Sequence, residues 1–337
     1  MSIFRLFFFC FILTVIFTPL AKKIGLKLKI LDYPNERKIH STPTPLLGGA
    51  AIAASFCIVI LLSFHFSLEL KGVVMGGLLL FLVGLVDDIK PLPAYLRLIV
   101  QIVACIILFR CGVMISFLPN TTIGKIGEFL ITLVWIVWII NAVNFFDGID
   151  GLATTLVAVS AFFLLIVGLQ TRQYYFSYLA AALIGSCMGF LIYNFHPAKI
   201  FLGDAGANFL GFTLGSLAIM GEWSERGPAI ALSVPILILG VFIFDMLYIT
   251  ISRIVKGETH NLKEILEYVG KDHLHHRLMN IGFTQRQAVL LICLLSAAVG
   301  FGAIVLRTTS SPQNVTFLIL QALIIFATVS FLMHKKK

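Results

Sequence analysis

Charge is scarce in this chain. Asp, Glu, Lys and Arg make up only 12% of its 337 residues, about half the usual share in a soluble globular domain. A water-soluble fold could not cover the apolar residues, which reach 59% with a mean hydropathy of +1.01. Cysteines are few and scattered. Cys10, Cys57, Cys105, Cys111, Cys187 and Cys293 lie mostly inside apolar runs. No two have metal or redox spacing, so they read as small packing residues. There is no internal repeat, low-complexity segment, Gly-x-Gly-x-x-Gly fingerprint, P-loop or Ser-His-Asp set with supporting context. The first apolar stretch lacks a small-x-small cleavage site and is followed by Lys22 and Lys23. It is therefore expected to be a retained helix, not a signal peptide.

What is present in abundance is apolar sequence. Runs of roughly 20 apolar residues recur along the whole length, each able to cross a bilayer core of about 30 Å. Inside lipid every backbone polar group needs an internal partner, so such runs are helices or a closed barrel. They are solidly apolar and do not alternate, which selects helices. The expected spans are 3–20, 46–66, 72–88, 94–110, 127–145, 152–169, 177–195, 207–221, 229–252, 287–305 and 315–333. The expectation is an all-α polytopic membrane bundle of about eleven transmembrane helices, a single domain over 1–337. With the N-terminus outside, inner segments hold 18 of the 25 Lys and Arg residues and outer segments hold 7. The positive-inside rule then places the C-terminus, with Lys335, Lys336 and Lys337, in the cytoplasm. The net charge of +9 is explained by these loops, and nucleic acid is not an expected partner. Residues 260–269 read as a short interfacial helix with Leu262, Ile265, Leu266 and Val269 on one side.

The acids then sort to one face. Asp87, Asp88, Asp147, Asp150 and Asp204 all fall at inner helix ends or in inner loops. Ionisable residues at such depths are expensive and usually functional. Asp87-Asp88-Ile89-Lys90 pairs two repelling carboxylates with a lysine that can share the face of Asp87; a solvated helix end is the plain alternative. Asn141, Asn144 and Asp147 recur every three residues and lead into Gly148-Ile149-Asp150-Gly151-Leu152. This polar stripe ends at a helix start whose free N–H groups suit a phosphate, unless it is only a hydrogen-bonded seam between helices. Asp204, flanked by Gly203 and Ala205-Gly206, follows Asn194 through Leu202. A lone carboxylate there suits Mg²⁺, or else a helix N-cap. His273-Leu274-His275-His276-Arg277 gathers donors suited to a diphosphate, whereas adjacent His275 and His276 aim poorly at one zinc. Asp245 stands apart within the ninth span, about 12 Å from Arg253 at the helical rise. It is expected to face the bundle or a water-filled cleft, with a catalytic or a structural role.

These clusters, in this order, resemble the polyprenyl-phosphate N-acetylhexosamine-1-phosphate transferases of glycosyltransferase family 4. The resemblance covers nearly the whole chain. It is carried by Pro34-Asn35-Glu36-Arg37-Lys38-Ile39-His40 with Pro43-Thr44-Pro45-Leu46-Leu47-Gly48-Gly49, by Asp87 to Lys90, by Asn141 to Leu152, by Phe201-Leu202-Gly203-Asp204 and by His273 to Arg277. It implies a helical membrane enzyme with a cytoplasm-facing cleft in the bacterial inner membrane. There a lipid phosphate attacks the β-phosphate of a UDP-aminosugar, releasing UMP. It also implies Mg²⁺, with Mn²⁺ as a substitute.

On this resemblance Asp204 is the first metal ligand, and Asn144 assists it or contacts substrate. Asp87 positions or deprotonates the lipid phosphate and Asp88 supports it or the metal; direct attack and a covalent carboxylate intermediate are both chemically open. Lys38, Lys90, His273, His275, His276 and Arg277 hold the diphosphate. Asp150 and Asn194 read uracil with Phe201 stacked on the ring, Asp147 serves either group, and Asn141 belongs to the substrate-binding stripe. The catalytic set is thus Asp87, Asp88, Asp147, Asp150, Asp204 and His273. Partners are the UDP-sugar, undecaprenyl phosphate and membrane lipid; a homodimer is compatible with all of this. Arg37-Lys38-x-His40 and the His-Leu-His-His-Arg run resemble the WecA/TagO-like branch that starts O-antigen, common antigen or teichoic acid. UDP-GlcNAc is the donor implied; another UDP-N-acetylhexosamine or phospho-MurNAc-pentapeptide is the alternative. Gly270-Lys271-Asp272 departs from that branch, which often carries Asp-Arg or Asp-Lys before its histidines. A transporter is the rival class, but the acids lie at a rim and not between repeated halves.

Overall fold

A chain this apolar must satisfy its backbone internally, and a computed structural model shows that it does so almost wholly with helices. The structure describes residues 2–34, 42–63, 67–223, 228–259, 270, 272–308 and 312–334. Lys38 and the expected helix over 260–269 lie outside the described residues. The helices are α1 (Ile3–Leu28), α2 (Gly48–Ser63), α3 (Leu68–Ile89), α4 (Ala94–Arg110), α5 (Thr122–Phe146), α6 (Leu152–Gln170) and α7 (Tyr174–Asn194). There follow α8 (Gly203–Met220), α9 (Pro228–Ile238), α10 (Gly240–Val255), α11 (Leu274–Asn280), α12 (Gln285–Thr308) and α13 (Pro312–His334).

A helix lies on every expected span, but the spans are unequal. Among the described residues six helices are long and apolar enough to cross a membrane alone: α1, α3, α5, α6, α7 and α12. The expected ninth span is not one rod. It breaks at Leu239 into α9 and α10, bent by 78°. Pro235 lacks an N–H for the helix ladder, and Gly240 lets the ring of Phe326 approach to where a Cβ would be only 3.0 Å away. Two short strands also interrupt the all-helical expectation. β1 (Leu31–Asp32) pairs antiparallel with β2 (Thr44–Pro45), Asp32 opposite Thr44.

The centre of the bundle is α8. All but its first-turn Asp204 and its last two residues are buried, and it packs against α3, α5, α2, α6 and α7. Small residues allow this. A Cβ on Gly49 would lie 2.3 Å from the Gly206 backbone, and one on Gly84 would lie 2.6 Å from Ala205. On its other side Gly211 approaches Ile140 of α5, where a Cβ would be 2.7 Å from the Ile140 Cα. The segment leading into α2 docks on the segment leading into α8 like an extra rung. Phe201 N–H donates to Pro45 O at 2.8 Å, Gly48 N–H to Phe201 O at 2.9 Å and Gly49 N–H to Leu202 O at 2.8 Å. The Leu47-Gly48-Gly49 and Phe201-Leu202-Gly203 motifs are therefore two halves of one joint.

That joint leaves no room for a methyl group. Gly49→Ala is expected to destabilise the protein by about 1–3 kcal/mol, the usual cost of overpacking, read as a lower thermal midpoint in detergent. An unchanged midpoint would contradict the close α2–α8 approach.

Candidate active site

The ends of α3, α5 and α7 and the starts of α6, α8, α11 and α12 meet at one end of the bundle. The N-terminus of α8 is its centre. A helix start leaves N–H groups without partners, and Leu202 at the N-cap has no acceptor side chain. Asp88 supplies one from α3. Its two oxygens accept the N–H groups of Asp204 at 2.8 Å and Ala205 at 3.1 Å. Gly203, at φ +74°, makes room: a Cβ there would lie 2.7 Å from Asp88 Oδ2. The N-cap role considered for Asp204 thus belongs to Asp88. Asp204 itself is half-buried, and its Oδ1 accepts from Asn144 Nδ2 at 2.6 Å. Asn144 presents its amide nitrogen to Asp204, so it orients this carboxylate from α5.

The neighbours of Asp87 differ from the sequence expectation. Its Oδ1 accepts the Leu92 N–H at 2.6 Å, and its counter-ion is Arg97 of α4, 3.4 Å away. Lys90 is exposed. The helix stops at Ile89 and Lys90 is extended, with φ −144° and ψ 113°, so the helical spacing that would join Asp87 to Lys90 is lost. Asn141 Nδ2 donates to Val137 O at 2.7 Å and Gln101 Oε1 at 3.2 Å, a seam between α5 and α4.

A second group holds the turn after α7. Asp150 Oδ2 meets His196 Nδ1 at 2.7 Å and accepts the Ala198 N–H at 3.0 Å. Asn194 is buried; its Nδ2 donates to Ile200 O at 3.0 Å and its Oδ1 accepts from Thr154 at 3.5 Å. Both side chains expected to read uracil are therefore engaged in shaping the loop that delivers Phe201 and Asp204. Phe201 is half-buried. From α12, Gln285 accepts the Asp150 N–H at 3.4 Å and Arg286 donates twice to His196 O, at 2.9 and 3.1 Å.

The third group is the histidine cluster. His273 and His275 are buried and His276 half-buried. His275 packs on the α5–α6 turn, where a Cβ on Gly148 would lie 2.5 Å from its Nε2. Burial first, then the neighbouring His276 and His273, hold the His275 ring well below its usual pKa, so it is neutral. Arg277, expected to bind diphosphate, instead donates to Asp272 O at 2.7 Å and to Met333 O of α13. Arg253 grips Asp272 with two bonds of 2.7 and 2.8 Å. Burial pushes the Asp272 carboxyl up, and the Arg253 hydrogen bond and charge more than offset this, leaving it below the usual range. Asp245 reaches His273, as described below.

Electrostatically the acids form one set. Asp147, at the end of α5, is held well above the usual carboxyl range, by burial first and then by the charges of Asp204, Asp88, Asp150 and Asp32. Asp32, on β1, was not a sequence candidate; it was a lone acid after a Lys-rich helix end. Arg97, His196, Gln285 and Arg286 were also missed, because only tertiary contact reveals their partners. Among the described residues no three His, Cys, Asp or Glu side chains converge as a metal cage.

Two outcomes follow from these contacts. Asp88→Ala should cost about 1–2 kcal/mol, a lost helix cap, and speed amide exchange at Asp204 and Ala205; normal exchange there would refute the cap. Asp147 binds its proton more tightly folded than unfolded, so its contribution to stability is lost as pH rises above the ordinary value of 3.8. Asp147→Asn should therefore be more stable than the wild type at about pH 7, the gain shrinking toward acid pH in thermal unfolding. A variant no more stable at neutral pH would argue against that raised carboxyl.

Comparison with known proteins gives the family. Residues 70–222, from α3 to the end of α8, match the sequence model of glycosyl transferase family 4. The chain is 32% identical over 334 residues to a probable undecaprenyl-phosphate N-acetylglucosaminyl 1-phosphate transferase of Bacillus subtilis, covering 96% of this chain and 91% of the relative. It is 33% identical to a decaprenyl-phosphate N-acetylglucosaminephosphotransferase of Mycobacterium leprae, covering 96% and 89%. It is 30% identical to an undecaprenyl-phosphate alpha-N-acetylglucosaminyl 1-phosphate transferase of Salmonella typhi, covering 85% and 79%. The carboxylate-lined end of this helical bundle is thus the conspicuous feature of a chain that belongs to glycosyl transferase family 4.

Proposed function

We propose that this protein transfers GlcNAc-1-phosphate from UDP-GlcNAc to a polyprenyl phosphate, undecaprenyl phosphate in the simplest case. An oxygen of the lipid phosphate bonds to the β-phosphorus, the bond from that phosphorus to the bridging oxygen breaks, and UMP leaves with the electron pair. The observation that carries the reading is the α8 N-terminus: a carboxylate, Asp204, is held by Asn144 and Asp88 at a helix start amid other acids. The relatives' names supply the donor sugar and the lipid acceptor. The excess of Lys and Arg in the inner segments supports a cytoplasmic site in a multi-pass membrane protein.

Two phosphates must meet although both are negative. Mg²⁺ would offset that repulsion and polarise the phosphoryl oxygens. The residues suit such an ion. Asp204 commits only Oδ1 to a hydrogen bond among the described residues, and hard oxygen donors with phosphate are what Mg²⁺ prefers. The carboxylates that raise Asp147 form a negative field that a divalent cation relieves. Asp204 would hold it, with Asn144 keeping Asp204 in place. Asp87, buried beside Arg97, would orient the lipid phosphate. Lys90 would meet the diphosphate from the exposed end of α3.

Purified protein with UDP-GlcNAc, undecaprenyl phosphate and Mg²⁺ should release UMP and form a lipid-linked sugar. Asp204→Ala should lower turnover about a hundredfold or more with the fold intact. Full turnover in that variant would sink the assignment. Transport of the nucleotide sugar into liposomes without transfer would favour a carrier.

A further inference from the structure

The role of Asp245 follows from its partners. It is fully buried in α10, near the break that separates α10 from α9. Its Oδ2 lies 2.7 Å from His273 Nδ1, and its Oδ1 accepts the Leu274 N–H at 2.9 Å, where α11 begins. The His273 ring is stacked on Phe145 of the α5 polar stripe, centroids 4.8 Å apart. It also stacks on His275, with 6.0 Å between centroids. One residue earlier, Arg253 of the same helix clamps Asp272. The α10 helix therefore grips the start of the histidine segment at two adjacent residues.

What the grip leaves open is notable. His273 Nε2, His275 Nδ1 and His275 Nε2 are buried and have no hydrogen-bond partner among the described residues. A buried polar atom without a partner costs about 1–3 kcal/mol, and native structures seldom tolerate several together. A carboxylate facing Nδ1 fixes the imidazole with its proton on that nitrogen. Nε2 then keeps a lone pair that can accept a proton or a hydrogen bond.

We propose that Asp245 is a positioning residue: it locks the tautomer and ring orientation of His273 so that the Nε2 lone pair is presented to accept a proton from the substrate. That the proton comes from the lipid phosphate rests on the transferase reading above. The alternative is that Asp245 only caps α11 through the Leu274 N–H. Asp245→Asn separates the two. Asparagine keeps a carbonyl oxygen for the Leu274 N–H, so a pure cap survives. It has lost the charge, and its amide N–H₂ opposite Nδ1 favours the other tautomer.

Asp245→Asn is expected to lower kcat about tenfold to a hundredfold, the usual penalty for losing a partner that orients a histidine. KM for UDP-GlcNAc should change less than kcat. Asp245→Glu should restore part of the loss, because it restores the carboxylate. In ¹⁵N-histidine NMR of the wild type, His273 should carry its proton on Nδ1, and Asp245→Asn should move it to Nε2. A kcat within about twofold of the wild type in Asp245→Asn would overturn the proposal, as would a wild-type His273 protonated only on Nε2. The NMR measurement needs no turnover and no variant. If the wild type releases no UMP, the transferase reading fails, and the wild-type spectrum still decides the Asp245–His273 pairing.

Discussion

The second and third N–H groups of α8, those of Asp204 and Ala205, depend on a carboxylate from another helix. Away from water each unmet N–H costs free energy. Asp88 meets both at once. It can do so only because Gly84 lets α3 touch Ala205 and Gly203 leaves space beside the carboxylate. The same joint sets α2, whose Gly48 and Gly49 hydrogen-bond to the two carbonyls just ahead of α8. One carboxylate thereby fixes where three helices meet and where the side chain of Asp204 stands.

The acids of the site divide into those already engaged and those with capacity left. Asp88 caps α8, Asp150 holds the turn after α7, Asp245 holds His273 and Asp272 is paired with Arg253. Asp204 keeps an oxygen, and Asp147 sits in the field of its neighbours with its proton tightly held. The cationic side chains divide in the same way. Arg97 faces Asp87, Arg253 faces Asp272, Arg277 binds carbonyls, and Arg286 binds the His196 carbonyl. These arginines are framework. On the transferase reading, Lys90, His273 and His275 are what remain for the substrate among the described residues of the site.

Much of this was legible in residue type and order. Apolar runs announced the helices because burial in lipid demands long uninterrupted apolarity. The acids announced the site because ionised groups there are too costly to be incidental. Partners were not legible. Nothing local says that Asp88 points at α8 while Asp87 points at Arg97, since this follows from how α3 and α4 pack. Lys90 looked like the partner of Asp87 on helical spacing, and the helix ended one residue too early. Asn194 looked like a substrate ligand because it is polar and near Asp204; its amide is used to hold the Ile200 carbonyl. The break at Leu239 was hidden inside an apolar run that reads as one span. Asp245, left open by the sequence, became interpretable only when α10 brought it to His273, 28 residues away.

The unsatisfied groups have an energetic meaning. Hydrogen bonds inside a low-dielectric site are stronger than in water, and so is the penalty for leaving one unmade. The nitrogens of His273 and His275 that meet no partner among the described residues carry that penalty. The crowding that holds a proton on Asp147 carries a second. A substrate brought in with a divalent cation would relieve both penalties, because it offers hydrogen-bond partners to the rings and positive charge to the acids. Such relief favours chemistry only where it grows as the reaction proceeds. The transferred phosphoryl group spreads negative charge over its oxygens as the bond to the leaving UMP lengthens. Groups held rigidly beforehand act on that reaction without reorganising. This gives a physical reason for fixing His273 from both sides, with Asp245 on its Nδ1 and Phe145 on its face, while leaving Nε2 without a partner.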